Sequence, residues 1–222
     1  MSKQLVWDQV GEKLYQTGIE QVALYPQDEK GAYPLGVAWN GVTNITDTPS
    51  GGEPNDLYAD DQKYLSLMSR EEYGGSITAY MSPPEFDECD GTVQAADGVL
   101  IKQQARKAFG LAYKTLVGND TQDTDYGYKL HLVWGAKASP SEESHDTVND
   151  SPEATELSWE YTCTPVSVTT KIKEKALKPF AHMVISSSAA KIADLEKILY
   201  GSEETDARLP LPDEVLKLMM GE

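Results

Sequence analysis

The stretch Asn119–Gly127, NDTQDTDYG, sets three carboxylates, Asp120, Asp123 and Asp125, in a short run that closes on glycine. Oxygens at this spacing are the raw material of a calcium loop. An EF-hand loop, however, takes oxygens at positions 1, 3 and 5, glycine at 6 and a bidentate glutamate at 12. Counted from Asp123, position 5 is Gly127 and position 12 is Trp134; counted from Asp120, position 12 is His131. Neither register holds the ligand set, whereas Asn, Asp, Thr and Gly are residues that tolerate turn dihedrals and bond their own backbone. The run reads as a turn between two strands, with no metal expected.

A second cluster, PPEFDECDG, gathers Glu85, Asp87, Glu88, Cys89 and Asp90. A reactive thiolate needs nearby positive charge or a helix N-terminus, and Cys89 has acids on both sides. A glycosidase pair of carboxylates is not selected by residues this common in the chain. The three histidines, His131, His145 and His182, stand in unrelated contexts, with no HExxH, no metal spacing and no GxSxG elbow. No catalytic residue, metal ligand or cofactor is predicted, and His131 is expected on the polar face of a strand.

With 19 basic and 36 acidic residues the chain carries a formal charge of −17. Nucleic-acid binders neutralise phosphates with clustered Lys and Arg, and the local groups here do not offset the global field. At 24.4 kDa, a compact chain exposes roughly 10,000 Å². Cys89 and Cys163 are far apart, which argues against a disulfide framework. The opening MSKQLVWDQVGEKLYQTG lacks an apolar core of signal-peptide length, and no window approaches the ~20 apolar residues of a membrane span. Folding in a reducing cytoplasm without a membrane anchor is expected.

The elements that must position these residues are read from period-two alternation. In YGYKLHLVWGA, Tyr126, Tyr128, Leu130, Leu132 and Trp134 share one face, and Lys129 and His131 the other. In ELSWEYTCT, Leu157, Trp159, Tyr161 and Cys163 oppose Ser158, Glu160, Thr162 and Thr164. Weaker strands lie in VAWNGVTNIT, GSITAYM, FGLAYKTLV and AHMVISS. Helical period appears in AKIADLEKILYG, capped by SSSA and stopped at Gly201. The segment LPLPDEVLKLMMGE is either a short packed helix or an arm docked on a neighbour. The prediction is a mainly β fold with minor α, an antiparallel β-sandwich or barrel of two packed sheets flanked by an α-helix. No composition shift divides residues 1–222, which read as a single domain with terminal arms.

Two long segments fit no compact element. Residues 46–62 hold Asp47, Glu53, Asp56, Asp60 and Asp61 without a cation; residues 138–152 hold Glu142, Glu143, Asp146 and Asp150, and no Lys or Arg occurs from Ala138 to Thr170. Loops this long are functional, disordered or ordered by a partner. These acids are candidates for contacts between subunits, with Lys171, Lys173, Lys175 and Arg208 as basic partners, a complementarity that favours register and steering.

The runs KLYQTGIEQVALYP, VAWNG, LYADDQKYL, PPEFDECDG, GNDTQDTDYGYKLHLVWGA, NDSPEATELSWE and RLPLPDEVLKLM together resemble the major tail protein, or tail tube protein, of long non-contractile-tailed bacteriophages. The resemblance extends over nearly the whole chain. It implies a structural virion protein, two packed sheets with a helix, rings of six stacked into a hollow tube, a tape-measure protein in the lumen, and tail initiator and terminator proteins at the ends. It also implies passage of DNA without specific binding, and the charge of −17 fits an acidic conduit that would repel it. The other class considered is an acidic, calcium-dependent carbohydrate-binding or adhesin-like β-sandwich, which would need metal at Asp120, Asp123 and Asp125.

Overall fold

The computed structural model describes residues 4–145, 147 and 154–221. The fold is mainly antiparallel β with three helices. Strands β1 (Tyr15–Pro26), β2 (Val37–Ala38) and β3 (Val42–Asp47) are followed by a hairpin of β4 (Pro54–Ala59) and β5 (Gln62–Met68), then β6 (Gly74–Ala79). A short helix, α1 (Asp87–Asp90), precedes a second hairpin, β7 (Val93–Ala96) and β8 (Val99–Ile101). The long pair β9 (Phe109–Asn119) and β10 (Asp123–Ala138) forms the centre, and β11 (Leu157–Cys163) returns beside it. The chain closes with the small hairpin β12 (Lys171–Ile172) and β13 (Lys175–Ala176), strand β14 (His182–Ser186), and helices α2 (Ile192–Tyr200) and α3 (Pro212–Met220).

The main sheet runs β2-β1-β9-β10-β11-β6-β3, with β14 also on β10. One edge of β10 is thus divided between two partners. Residues 129–133 pair with β14, and Ala136–Ala138 pair with β11. The break falls at Gly135, whose φ is +65° and whose missing Cβ would lie 2.4 Å from the Thr164 carbonyl oxygen. Glycine meets both demands, a left-handed dihedral and a close backbone approach.

Two cores result, one on each face of the central strands. One packs Leu24, Leu111 and Val133 against Ile77, Trp159 and Tyr161, with Phe86 and Trp39 filling the end. The other lies beneath the helices and joins Tyr25, Leu132, Trp134 and Ile185 to Leu195, Leu199 and Val215. Tyr25 donates to the Leu199 carbonyl at 2.8 Å and Trp134 Nε1 to that of Pro210 at 2.9 Å, so the aromatic polar ends are satisfied as they are buried.

The expected alternation holds in β11, where Trp159, Tyr161 and Cys163 point inward. It fails in the middle of β10, where both faces are covered and residues 130–136 are all buried. His131 is therefore buried, contrary to its expected polar exposure, while Tyr126 is exposed. The expected strand through Met81 ends at Ala79. Helix α2 forms as predicted, yet no side chain caps it: its N-cap position is Lys191, and the serines lie upstream. The last segment is a helix packed on its own chain through Val215, Leu218 and Met219.

The acidic segment 46–62 is not a single loop. Asp47 ends β3, and Pro54–Ala59 with Gln62–Met68 build the β4–β5 hairpin around Asp60 and Asp61, with φ +50° and +60°. Two positive dihedrals are what a two-residue I′ turn requires. The start of the other acidic segment lies along its own chain: Ser139 N donates to the Glu160 carbonyl, Glu160 N to Ser141 Oγ, and Glu143 pairs with Lys102 at 2.6 Å. Asp146 and Asp150 lie outside the described residues.

The accessible surface is 14957 Å². That is about half again the roughly 10,000 Å² expected of a compact chain of this mass. The β4–β5 and β7–β8 hairpins form sheets separate from the main one. The N-terminal segment before β1 leaves Leu5, Val6, Trp7 and Val10 exposed. No helix among the described residues is long and apolar enough to cross a membrane.

Candidate functional site

The most organised polar cluster is one the sequence spacing did not suggest. Residues 131 and 182 are brought together because β14 pairs with β10 in a register that sets His131 opposite Val184 and His182 opposite Val133. His131 Nδ1 and His182 Nε2 are 3.2 Å apart. Asp47 arrives from β3, at the far end of the same sheet, and its carboxylate lies within 4.8 Å of a nitrogen of each ring. Among the described residues, this is the group of His, Cys, Asp and Glu side chains that could converge on one cation.

Tyrosines frame the cluster. Tyr113 lies 4.6 Å from the His131 ring and nearly parallel to it, and Tyr73 stacks on His182 at 4.5 Å. Both hydroxyls donate to Asp47 Oδ1, at 2.6 Å from Tyr73 and 3.2 Å from Tyr113. Thr115 Oγ1 lies 3.0 Å from His131 Nε2. Burial, together with the neighbouring His182, pushes the His131 pKa down to about 4. Burial also lowers that of His182, against the pull of Asp47. The pair is therefore neutral at pH 7, each ring with one N–H and one lone pair. His182 and Tyr73 further line an open cleft between residues 68–73 and 178–182, which gives the cluster a route to solvent.

The residues singled out from sequence are dispersed. Asp120, Asp123 and Asp125 do not converge with one another. Asn119 Oδ1 instead collects the Thr121 and Gln122 amides in the β9–β10 turn, while Asp120 Oδ1 accepts from Gly11 N at 3.0 Å and Asn119 Nδ2 donates to the Gly11 carbonyl. The turn thus also anchors the N-terminal segment. In the PPEFDECDG cluster, Glu88 pairs with Lys107, Asp90 lies 3.6 Å from Arg106, and Cys89 is buried in α1 with burial pushing its thiol up to about 12. Cys163 is buried and likewise free.

Of the acids proposed for contacts between subunits, Asp56 is engaged across its hairpin by Lys63 at 2.7 Å and by Ser66, and Asp47 by the two tyrosines. Glu53, Asp60, Asp61 and Glu142 are exposed. Lys171 and Lys175 are exposed on the β12–β13 hairpin, with Lys173 at its tip, whereas the Arg208 fork grips Glu214 of its own chain.

No protein-family model matches the chain, and neither does any curated protein.

Proposed function

We propose that the chain is a structural subunit of a bacteriophage tail tube, assembling with copies of itself into stacked rings. The carrying observation is the surplus surface. The chain exposes on the order of 5,000 Å² more than a compact monomer of its mass. Obligate interfaces bury roughly 2,000–5,000 Å² in total, half of it from each partner, so a surplus of this size is enough for two or more such contacts per chain. Hairpins outside the main sheet contribute to the surplus. Tyr58, Tyr64 and Met68 are each about 70% exposed on the β4–β5 hairpin, at 71%, 73% and 67%, and a lone two-stranded hairpin is marginal in water. The sequence resemblance points the same way.

In this reading the terminal strands β2 and β3 offer edges for pairing between neighbours, and ring closure removes such edges from solution. The hairpins reach adjacent subunits. With a charge of −17, the acids that face the lumen repel duplex DNA within roughly 8–10 Å in physiological salt. The implied partners are the tape-measure, initiator and terminator proteins.

The test is negative-stain electron microscopy of the purified chain across concentration and salt, in EDTA. Hollow tubes or six-fold rings are the expected result. A chain that stays monomeric at every concentration, and also when mixed with preformed tail-tip complexes of its own phage, would overturn the assignment.

A further inference from the structure

We propose that Asp47, His131 and His182 form a binding site for a divalent transition metal of the zinc class, joining β3 to the central strands β10 and β14. Three observations carry it. First, the ligand geometry is nearly in place. Two nitrogens about 2.0–2.1 Å from a tetrahedral ion are separated by roughly 3.3 Å, and His131 Nδ1 and His182 Nε2 are 3.2 Å apart. The Asp47 oxygen is within 4.8 Å of both, so a modest side-chain rotation completes three ligands, and water supplies the fourth.

Second, the supporting contacts are those of a metal site. A ligating imidazole ordinarily donates its other N–H to an acceptor that fixes tautomer and orientation. In the tautomer whose Nε2–H donates to Thr115 Oγ1, 3.0 Å away, Nδ1 of His131 is the bare nitrogen facing His182. Tyr73 and Tyr113 both hold Asp47 through Oδ1. Among the described residues no hydrogen bond takes Oδ2, which leaves it for the ion. The flanking rings prevent either imidazole from turning away.

Third, the cleft beside Tyr73 and His182 admits an ion from solvent. N and O donors of this kind suit zinc, nickel or cobalt more than calcium, which prefers six to eight oxygens. On binding, His182 changes tautomer, its proton passing from Nε2 to Nδ1 through solvent, and the two facing lone pairs turn to the metal. All three ligands come from one chain, so the site is a strut within the subunit and is independent of assembly.

The test uses the full chain without a histidine tag and with His145→Ala, which leaves His131 and His182 as its only histidines. The chelator-treated protein is titrated with zinc chloride by calorimetry and with cobalt(II) by visible absorption. One equivalent is expected to bind with a Kd at or below about 10 μM, with the intense d–d bands of a tetrahedral cobalt complex. Asp47→Asn and His182→Gln are each expected to weaken binding at least about tenfold, the smallest effect usual for a mere supporting partner. Absence of saturable uptake by the parent, or undiminished uptake in both folded variants, overturns the site. If a variant fails to fold, imidazole NMR of the parent decides: zinc must shift the resonances of both histidines, and unmoved resonances reject the proposal.

Discussion

Asp213 shows how one carboxylate ties two segments. It accepts from the amides of Thr169 and Thr170 and from Thr169 Oγ1, at 2.8–3.0 Å, and sits in the first turn of α3. Desolvation pushes its pKa up, but these hydrogen bonds outweigh it and hold the carboxyl well below the usual range. A depressed folded-state pKa means that this stabilisation is complete above the unfolded value of about 3.9 and is lost as pH falls below it. Asp213→Asn is therefore expected to cost about 1 kcal/mol at pH 7, a modest figure because the carboxylate remains wetted. The difference from the parent should shrink steadily as pH falls from about 5 to 2 without closing, because the folded-state carboxyl stays ionised over that range, as followed by urea denaturation across it. At Gly135 the effect is larger. Alanine there meets both a left-handed φ and the Thr164 carbonyl, so Gly135→Ala should lose more than about 2 kcal/mol, read as a drop in the urea midpoint. The histidine cluster was hidden at this scale: His131 and His182 carry no local motif, and only the β10–β14 register joins them. Asp47 looked like one of many loop acids because it stands just past the VAWNGVTNIT strand, inside the acidic run of residues 46–62.

Among elements, what alternation could reveal depended on how many faces a strand buries. β11 has one buried and one open face, and its pattern was plain. β10 is covered on one face by the other sheet strands and on the other by α2 and α3, so its central residues lose the polar half of the signal. The β4–β5 hairpin escaped detection for the opposite reason, since neither face is buried and its apolar residues, Leu57, Tyr58, Tyr64, Leu65, Leu67 and Met68, fall in adjacent pairs that leave no period of two. If that hairpin is an assembly arm, changing Tyr58, Tyr64 and Met68 together to serine should leave the folding midpoint nearly unchanged, because exposed substitutions typically move stability by less than about 0.5 kcal/mol each. The same variant should fail to form tubes under the microscope. Normal tubes would remove this hairpin from the contact surface.

For the whole molecule, charge and surface work against each other. The apolar residues left exposed on the hairpins and the N-terminal segment favour association, while a charge of −17 on every copy opposes it. Raising sodium chloride from about 20 to 150 mM shortens the screening length from roughly 20 to 8 Å. The critical concentration for tube formation is accordingly expected to fall over this range, as measured by sedimentation. A rise would show that attraction between opposite charges, such as the β12–β13 lysines with acidic loops, governs assembly instead.

The divided edge of β10 also has a kinetic meaning. β9 and β10 are neighbours in the chain and can close as a local hairpin, but β11 and β14 must each travel back to the same edge and take adjoining stretches of it. Local pairing is fast and long-range pairing slow, so the late steps of folding amount to two claimants sorting themselves along one strand. A straight β10 would let the earlier-synthesised β11 run on into the stretch that belongs to β14. The bend at Gly135 forbids this overrun. The glycine therefore acts as a stop mark for register, and its replacement is expected to populate a trapped intermediate, visible as an added slow phase in refolding.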